Sequence, residues 1–191
     1  MPQQLSLFEE AAHGADPDPL FFALVPDEEA TQRIEDLVEN FRRTHGLTGA
    51  LRPLHVTLCD LTIRANAEKT IDVASEAAAA AAAAPFRIAF NRAMRFGGGQ
   101  NDRPFVLVGD DGVTGAAQFR QTLSFALRKA DLGRWSVAFT PHLTLLYDKV
   151  LPDDQDIEPI AWTAREFVLL RSVVGRTRHD VLGRWPLRVD G

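Results

Sequence analysis

The chain has 191 residues, of which 46% are hydrophobic, and its formal net charge is −5 at pH 7. This size suits a single globular domain with a substantial core. The acidic balance argues against a protein that coats long nucleic acid, because such binding depends on neutralising many phosphates. No window approaches the roughly 20 consecutive apolar residues of a membrane helix, and the N-terminus lacks the basic-then-apolar pattern of a signal peptide. We therefore expect a cytoplasmic protein.

The first half of the chain predicts a strand, a helix and a second strand. Residues 20–25, "LFFALV", form a short apolar run typical of a buried strand. Residues 26–46 predict an amphipathic helix, because apolar residues recur at helical spacing and Gly46 provides a stop. The segment "LHVTL" at 54–58 predicts the second strand from its length and β-branched residues. An alanine-rich helix is then expected over 67–84, ended by Pro85.

The second half repeats this order. Residues 103–112, "RPFVLVGDDG", predict a strand and a turn, residues 114–133 a helix, and "VAFTPHLTLLY" at 137–147 another strand. We interpret the repeated order as an internal duplication.

Further elements surround the two repeated units. Strands are predicted at 85–96, 166–175 and 179–189, the last with Gly183 at a bend or bulge. A turn is expected at 97–104 and an acidic loop at 150–160.

The two strands that close the repeats carry the same polar pair. "PLHVTLCD" contains His55 and Thr57, and "PHLTLLYD" contains His142 and Thr144. Residues two apart on a strand share a face, so each imidazole stands beside a hydroxyl, opposite the buried leucines. An imidazole can take or give a proton at neutral pH, and a hydroxyl can donate to an anionic oxygen. Two facing pairs could therefore hold a phosphate between two histidines for in-line displacement.

Two other interpretations compete with this one. A single histidine on a strand is more often structural, but two matching pairs in a duplicated layout favour catalysis. Two histidines leave a metal site short of ligands, and the nearby aspartates, Asp60 and Asp148, are explained by turn formation. The single cysteine, Cys59, belongs to no Cys/His cluster with zinc-site spacing. We expect neither a metal nor a cofactor.

The motifs "HVTL" at 55–58 and "HLTL" at 142–145 resemble the two His-x-Thr/Ser-x motifs (HxTx) of the 2H phosphoesterase superfamily. Within it they resemble the RNA 2′,3′-cyclic phosphodiesterases, also called 2′-5′ RNA ligases. The likeness extends over about residues 20–188 and implies a single domain at 20–191. The implied fold is α/β (α+β) and two-lobed, with an antiparallel sheet and outer helices in each lobe and a cleft between the two motif strands.

The resemblance also implies an activity. His55 and His142 become the acid/base pair of a metal-independent hydrolase, Thr57 and Thr144 hold the phosphate, and reversible 2′-5′ ligation could accompany hydrolysis in RNA processing. Where relatives often carry a basic residue after the second motif, this chain has "LLYD", so Tyr147 could stack on a base. Relatives commonly have tyrosine where this chain has His179. We consider Arg95, Arg103 and Arg178 as further substrate contacts.

Residues 1–19 predict a flexible tail with a second signal. Its "QLSLF" segment, Gln4, Leu5, Ser6, Leu7 and Phe8, resembles the peptide with which bacterial proteins dock on the DNA polymerase sliding clamp. The alternatives are packing of this segment on its own domain and an accidental match.

Three hypotheses follow for the whole chain. The first is hydrolysis of 2′,3′-cyclic phosphate at RNA ends or in nucleotides. The second is a non-catalytic nucleotide-binding adaptor tethered to a sliding clamp. The third keeps the chemistry and changes the substrate to a small cyclic nucleotide or a 2′-5′ oligonucleotide; the acidic net charge favours small substrates.

Overall fold

The structure, a computed structural model, describes residues 19–61, 67–96, 103–133, 135, 138–172 and 178–188. Its elements are β1 (Leu20–Leu24), α1 (Glu28–His45), β2 (Val56–Leu61), α2 (Ala67–Ala79), β3 (Phe86–Arg95), β4 (Arg103–Val108), a 3₁₀ turn (Asp111–Val113), α3 (Thr114–Lys129), β5 (His142–Asp148), β6 (Gln155–Ala164), β7 (Glu166–Ser172) and β8 (His179–Pro186). None of the helices in these ranges is both long and apolar enough to cross a membrane.

The strands form two four-stranded antiparallel sheets. The first has the order β2-β1-β7-β8 and the second the order β5-β4-β3-β6. Each motif strand, β2 or β5, is therefore an edge strand, and its neighbour is the strand that precedes it in its own half of the chain. The two-lobed α+β fold with duplicated halves is confirmed.

Two helices connect the lobes by packing across them. The helix α1 links two strands of the first sheet, yet its Phe41 ring lies 5.1 Å from that of Phe105 in the second sheet. Conversely, α3 links two strands of the second sheet, and its Phe119 ring lies 4.8 Å from that of Phe167 in the first. Buried residues of both sheets consequently form one apolar core.

The ends of α1 follow from short-range chemistry. The side chain of Asp27 accepts a hydrogen bond from the Ala30 amide at 2.9 Å, which satisfies a donor of the first turn. Gly46 ends the helix with φ +69°, a left-handed conformation that glycine adopts without strain. Both boundaries lie close to those predicted.

The prediction for α2 was wrong at its C-terminal end. The helix ends at Ala79, not at Ala84, and the Ala81 amide bonds the Ala78 carbonyl in a tighter turn. The Ala81 side chain is buried. Tertiary packing therefore turns the chain before Pro85, because helix propensity is a weak preference that such packing overrides.

Two strand boundaries also differ from prediction. The expected acidic loop at 150–160 is shorter, because β6 begins at Gln155. Asp156 and Glu158 are exposed on this edge strand, where charged side chains are tolerated. The motif strand β5 begins only at His142, directly after Pro141, which cannot donate to a ladder.

The other predicted strands are present; residues 173–175 and 189 of these predictions lie outside the described ranges, and β8 ends at Pro186. The register between β7 and β8 shifts between Leu169 and Leu170, beside Gly183, which confirms the predicted bulge. A Cβ atom at Gly183 would lie 2.4 Å from the Trp185 ring, so glycine permits this packing. Of the turn expected at 97–104, residues 97–102 lie outside the described ranges, and Arg103 and Pro104 begin β4.

Phe167 is the residue whose loss should weaken the connection between α3 and the first sheet most directly. It is 1% exposed and contacts the rings of Phe22, Phe119 and Trp185. We expect Phe167→Ala to lower the free energy of unfolding by about 3–5 kcal/mol, measured by urea denaturation. As a matched control, Phe125→Ala removes a phenylalanine that is 55% exposed and should cost less than about 1 kcal/mol. Equal losses in the two variants would contradict this assignment of the core.

Candidate active site

The two motifs present their histidine and threonine on one face and their apolar residues on the other. Val56, Leu58, Leu143 and Leu145 are at most 2% exposed. His55 directly precedes β2, and His142 is the first residue of β5. Both histidines and both threonines, Thr57 and Thr144, are only partly buried. The period of two along each strand therefore sorts the side chains as the sequence predicted.

The motif strands are edge strands whose outer backbone groups are covered by other parts of the chain. Arg120 of α3 donates its Nε–H to the Leu58 carbonyl at 2.8 Å, and the indole of Trp135 donates to the Asp60 carbonyl at 2.9 Å. On β5 the Leu145 carbonyl accepts from the Arg52 amide at 2.8 Å. The two edges lie in contact with each other. Covered edges of this kind hold the motif residues on rigid backbone.

Both histidines have the same hydrogen-bonded orientation. The Nδ1 atom of His55 lies 2.7 Å from the Pro53 carbonyl oxygen, and that of His142 lies 2.9 Å from the Thr140 carbonyl oxygen. A carbonyl oxygen only accepts, so each Nδ1 carries the hydrogen and donates it. Each Nε2 is left for proton transfer, as a base when the ring is neutral and as an acid when the ring is protonated.

The surroundings of His55 disfavour its charged form. Burial, followed by the nearby charges of His179, His142 and Arg52, outweighs the hydrogen bond to the Pro53 carbonyl and lowers the pKa of His55 from 6.5 to about 4. The free protein therefore holds this ring neutral at pH 7. Because β2 and β5 contact each other, the two motif histidines lie in the same region of the molecule.

A third histidine stands beside the first motif. The His179 ring is 4.9 Å from the His55 ring, and the Phe21 ring is 5.1 Å from each of them. Burial and the charge of Arg52 lower the pKa of His179 as well. The sequence indicated His179 only as a departure from relatives. Its place in the site depends on the pairing of β8 with β7 and of β7 with β1, which sequence spacing does not reveal.

The second motif has a simpler aromatic neighbour. The Phe96 ring lies 4.6 Å from the His142 ring, a position comparable to that of Phe21 beside His55. Neither phenylalanine was predicted as a site residue. The two histidines thus share an orientation but differ in surroundings, since the structure places a second imidazole only beside His55 in the part of the chain it describes.

Of the four substrate contacts considered from the sequence, Tyr147 and Arg178 lie beside Arg52 or His179, and Arg95 and Arg103 have other neighbours. Tyr147 is 45% exposed near the end of β5, and the Arg52 guanidinium lies 5.7 Å from the centre of its ring. Arg178 directly precedes His179 and forms an ion pair with Asp180 at 3.5 Å. Arg95 forms an ion pair with Asp153 of the acidic loop at 3.0 Å. Arg103 is the first residue of β4 and is paired with Asp148 of β5.

Arg52 is a charged residue beside the motif histidine that sequence reasoning missed. It lies three positions before His55, between the helix α1 and the first motif strand. Its charge acts on both His55 and His179. A signal was available in the sequence, because Arg52 is a basic residue in the segment that leads into His55. A residue at this position lies close to an anion bound at His55.

Asp148 connects the two motif segments. Its carboxylate accepts from the Thr48 amide at 2.7 Å and the Gly49 amide at 2.9 Å, as well as from the Lys149 amide at 2.7 Å. These backbone donors, led by that of Thr48, lower the pKa of Asp148 to about 2. The predicted turn role covers the bonds from the Lys149 and Val150 amides. The bonds from Thr48 and Gly49 hold the segment that leads to His55 against the end of the strand that begins at His142.

Two further expectations from the sequence concern metal binding and a protein partner. The described residues contain no group of three His, Cys, Asp or Glu side chains arranged to hold a metal ion. The "QLSLF" segment at 4–8 lies outside the described residues, so the sliding-clamp hypothesis stays a prediction.

Comparison with protein families assigns the chain through most of its length. The model described as "2'-5' RNA ligase superfamily" matches residues 23–176, which include both motifs. The chain belongs to this superfamily. A comparison with curated proteins gave no match.

Solved structures share this fold. The protein TT0787 of Thermus thermophilus is 22% identical with a TM-score of 0.72, covering 91% of this chain and 100% of its own. LigT of Escherichia coli in apo form is 24% identical with a TM-score of 0.68, covering 92% and 100% of the two chains. The same LigT complexed with 3'-AMP is also 24% identical with a TM-score of 0.68, covering 90% and 99%.

The lowered pKa of His55 should make stability depend on pH. Between pH 6.5 and about 4 the unfolded chain protonates this histidine while the folded protein does not, so stability falls as pH falls through this range. The full contribution is about 3 kcal/mol at 1.36 kcal/mol per pKa unit. We expect His55→Asn to flatten the decline of unfolding free energy between pH 7 and 4, measured by urea titration. His45→Asn, at an exposed position of α1, should keep the wild-type slope; an unchanged slope in His55→Asn would contradict the assigned burial.

Gly49 should not accept a larger residue. A Cβ atom there would lie 2.2 Å from the Tyr147 carbonyl oxygen, which belongs to the backbone and cannot turn aside. We expect Gly49→Ala to lower the free energy of unfolding by about 1–3 kcal/mol, as overpacking typically does. Ala50→Ser at the exposed neighbouring position is the control and should change it by less than about 0.5 kcal/mol. A neutral Gly49→Ala would show that this segment does not lie against β5.

Proposed function

We propose that the protein hydrolyses 2′,3′-cyclic phosphodiesters at RNA ends or in nucleotides, without a metal ion, through His55 and His142. The observation that carries this proposal is the matched pair of Nδ1–carbonyl hydrogen bonds, which leaves an Nε2 atom free on each ring. Membership of a superfamily described by 2′-5′ RNA ligation supports a phosphodiester substrate. The structure of LigT complexed with 3'-AMP supports a nucleotide in the cleft.

The proposed reaction needs one proton acceptor and one proton donor. One Nε2 takes a proton from water as the water oxygen bonds to phosphorus. The other Nε2–H gives its proton to the 2′ or 3′ ribose oxygen as the bond from phosphorus to that oxygen breaks. The product is a ribose phosphomonoester with one free hydroxyl, and the two rings have exchanged protonation states. General acid and general base catalysis of this kind requires one neutral and one protonated ring.

The other polar groups would stabilise charge on the phosphate. Thr57 and Thr144 share a face with the histidines, so their hydroxyls can donate to the phosphate oxygens that take no part in bond breaking. The charge of Arg52, which lowers the pKa of His55 in the free protein, would favour an anion at the same place. A bound phosphate would in turn raise the pKa of His55, because the anion favours the charged ring.

The same groups could support ligation. A ribose 5′-hydroxyl in place of water would attack the cyclic phosphate, lose its proton to one histidine and form a 2′-5′ linkage as the 3′ oxygen takes a proton from the other. Neither direction needs a group that the chain does not supply. Reversible 2′-5′ ligase activity is therefore part of the proposal.

The decisive experiment is hydrolysis of the four nucleoside 2′,3′-cyclic monophosphates and of an oligonucleotide with a cyclic phosphate end, with EDTA present. We expect turnover by the wild type and a loss of about 10²- to 10⁴-fold in rate for His55→Ala and for His142→Ala, as for removal of one general acid or base. His45→Ala, which removes an exposed histidine on α1, is the matched control and should retain the wild-type rate.

The outcomes separate the competing functions. Wild-type rates in either motif variant would contradict the two-histidine mechanism, and a loss of activity with EDTA would contradict its independence of metal. Binding of the nucleotides by the wild type with no turnover would favour the non-catalytic adaptor. Relative rates among substrates that are turned over would distinguish RNA ends from mononucleotides.

A further inference from the structure

A groove of about 460 Å³ lies beside the motif histidines, on the side of the first sheet that carries His179. Its volume is within the range of about 300–1,000 Å³ that small-molecule sites occupy. Val25, Leu54 and Leu170 provide apolar walls, and Arg52, Arg178 and His179 provide polar ones. The groove is therefore an apolar surface with basic groups, next to the proposed site but lined by neither motif histidine.

His179 is the point where the groove meets the proposed catalytic site. It lines the groove, and its ring contacts that of His55 at 4.9 Å. Leu170 of the groove and Phe21, which contacts His55, belong to the same small apolar cluster on this face of the sheet. A ligand that extends from the phosphate at His55 past His179 would therefore enter the groove along a continuous surface.

The charges favour an anion at the His179 end. Arg52 lines the groove, and its charge acts on both His55 and His179. Arg178 has a side chain that is 63% exposed, and its partner Asp180 is 3.5 Å away, so its guanidinium can also reach a ligand. Among the lining residues that the structure describes, Glu35 of α1 is the one acidic side chain, against two arginines. Each arginine offers N–H donors in the planar arrangement that suits phosphate oxygens.

We propose that this groove is a second subsite, in which Arg52 and Arg178 bind the phosphate on the 5′ side of the reacting nucleotide and the apolar walls contact the nucleoside attached to it. The preferred substrate is then an RNA end with at least two nucleotides, not a bare mononucleoside cyclic phosphate. This inference rests on the proposed function for the identity of the reacting end. It adds the length of the substrate and the residues that select it.

The test compares three substrates with the same reacting adenosine. They are adenosine 2′,3′-cyclic phosphate, the same compound with a 5′-phosphate, and a diadenosine dinucleotide with a 2′,3′-cyclic phosphate end. We expect the two with a 5′-side phosphate to have kcat/KM values at least about tenfold above that of the first. The measured quantity is the ratio of kcat/KM with a 5′-side phosphate to kcat/KM without one, which cancels any loss common to all substrates. Arg178→Ala should lower this ratio about tenfold. Arg92→Ala, which also removes an exposed arginine paired with an aspartate, should leave the ratio unchanged.

A ratio near one in the wild type would overturn the second subsite while leaving the proposed function in place. A high ratio that Arg178→Ala preserves would overturn its location in this groove. If no cyclic phosphate is turned over, the proposed function fails, and the subsite is still tested by calorimetry with 3′-AMP and with a diadenosine dinucleotide bearing a 3′-phosphate. Tighter binding of the dinucleotide, reduced by Arg178→Ala and not by Arg92→Ala, supports the subsite, and equal affinities overturn it.

Discussion

The carboxylate of Asp148 sets the relation between the two motif histidines. It stands at the end of the strand that begins with His142 and binds the amides of Thr48 and Gly49, in the segment that leads to His55. The Arg52 amide continues the attachment on the Leu145 carbonyl, and Gly49 allows the two backbones to approach. A cleft between two sheets would otherwise depend on side-chain packing alone for its width. Hydrogen bonds from backbone amides to the Asp148 carboxylate and to the Leu145 carbonyl hold one lobe's motif segment to the other lobe's motif strand.

The two motifs place two imidazoles in equivalent positions, and the surroundings of the two rings differ. The two rings bind a carbonyl oxygen two residues earlier in the chain, and each has a phenylalanine beside it. Only around His55 do His179 and Arg52 add positive charge to burial, within the residues that the structure describes. Acid-base catalysis needs two groups in opposite protonation states, and identical surroundings would give two groups that titrate together. In the proposed reaction, the surroundings of His55 therefore favour the neutral form of this ring before a substrate binds.

The parts of the structure that short-range chemistry determines could be predicted from the sequence. The period of two in "LHVTL" and "PHLTL" assigned the faces of four motif side chains, and Gly46 marked the C-terminal end of α1. The alanine run of α2 and the acids of β6 misled the prediction, because packing and edge position decided those boundaries. His179 and Arg52 could not be assigned to the site, since their proximity depends on β8 pairing with β7 and on the attachment of the segment before His55 to β5.

Each lobe contributes a helix that packs against the sheet of the other lobe, so the two lobes stabilise each other. Phe41 of α1 completes the packing of the second sheet, and Phe119 of α3 completes that of the first. Neither repeat contains all the apolar partners of its own sheet, so a fragment with only one repeat exposes surface that the other repeat would cover. The two lobes should therefore unfold cooperatively, because unfolding one lobe removes a packed helix from the sheet of the other. The duplicated halves are folding partners of each other, and the two imidazoles are brought together by the same event that stabilises the molecule.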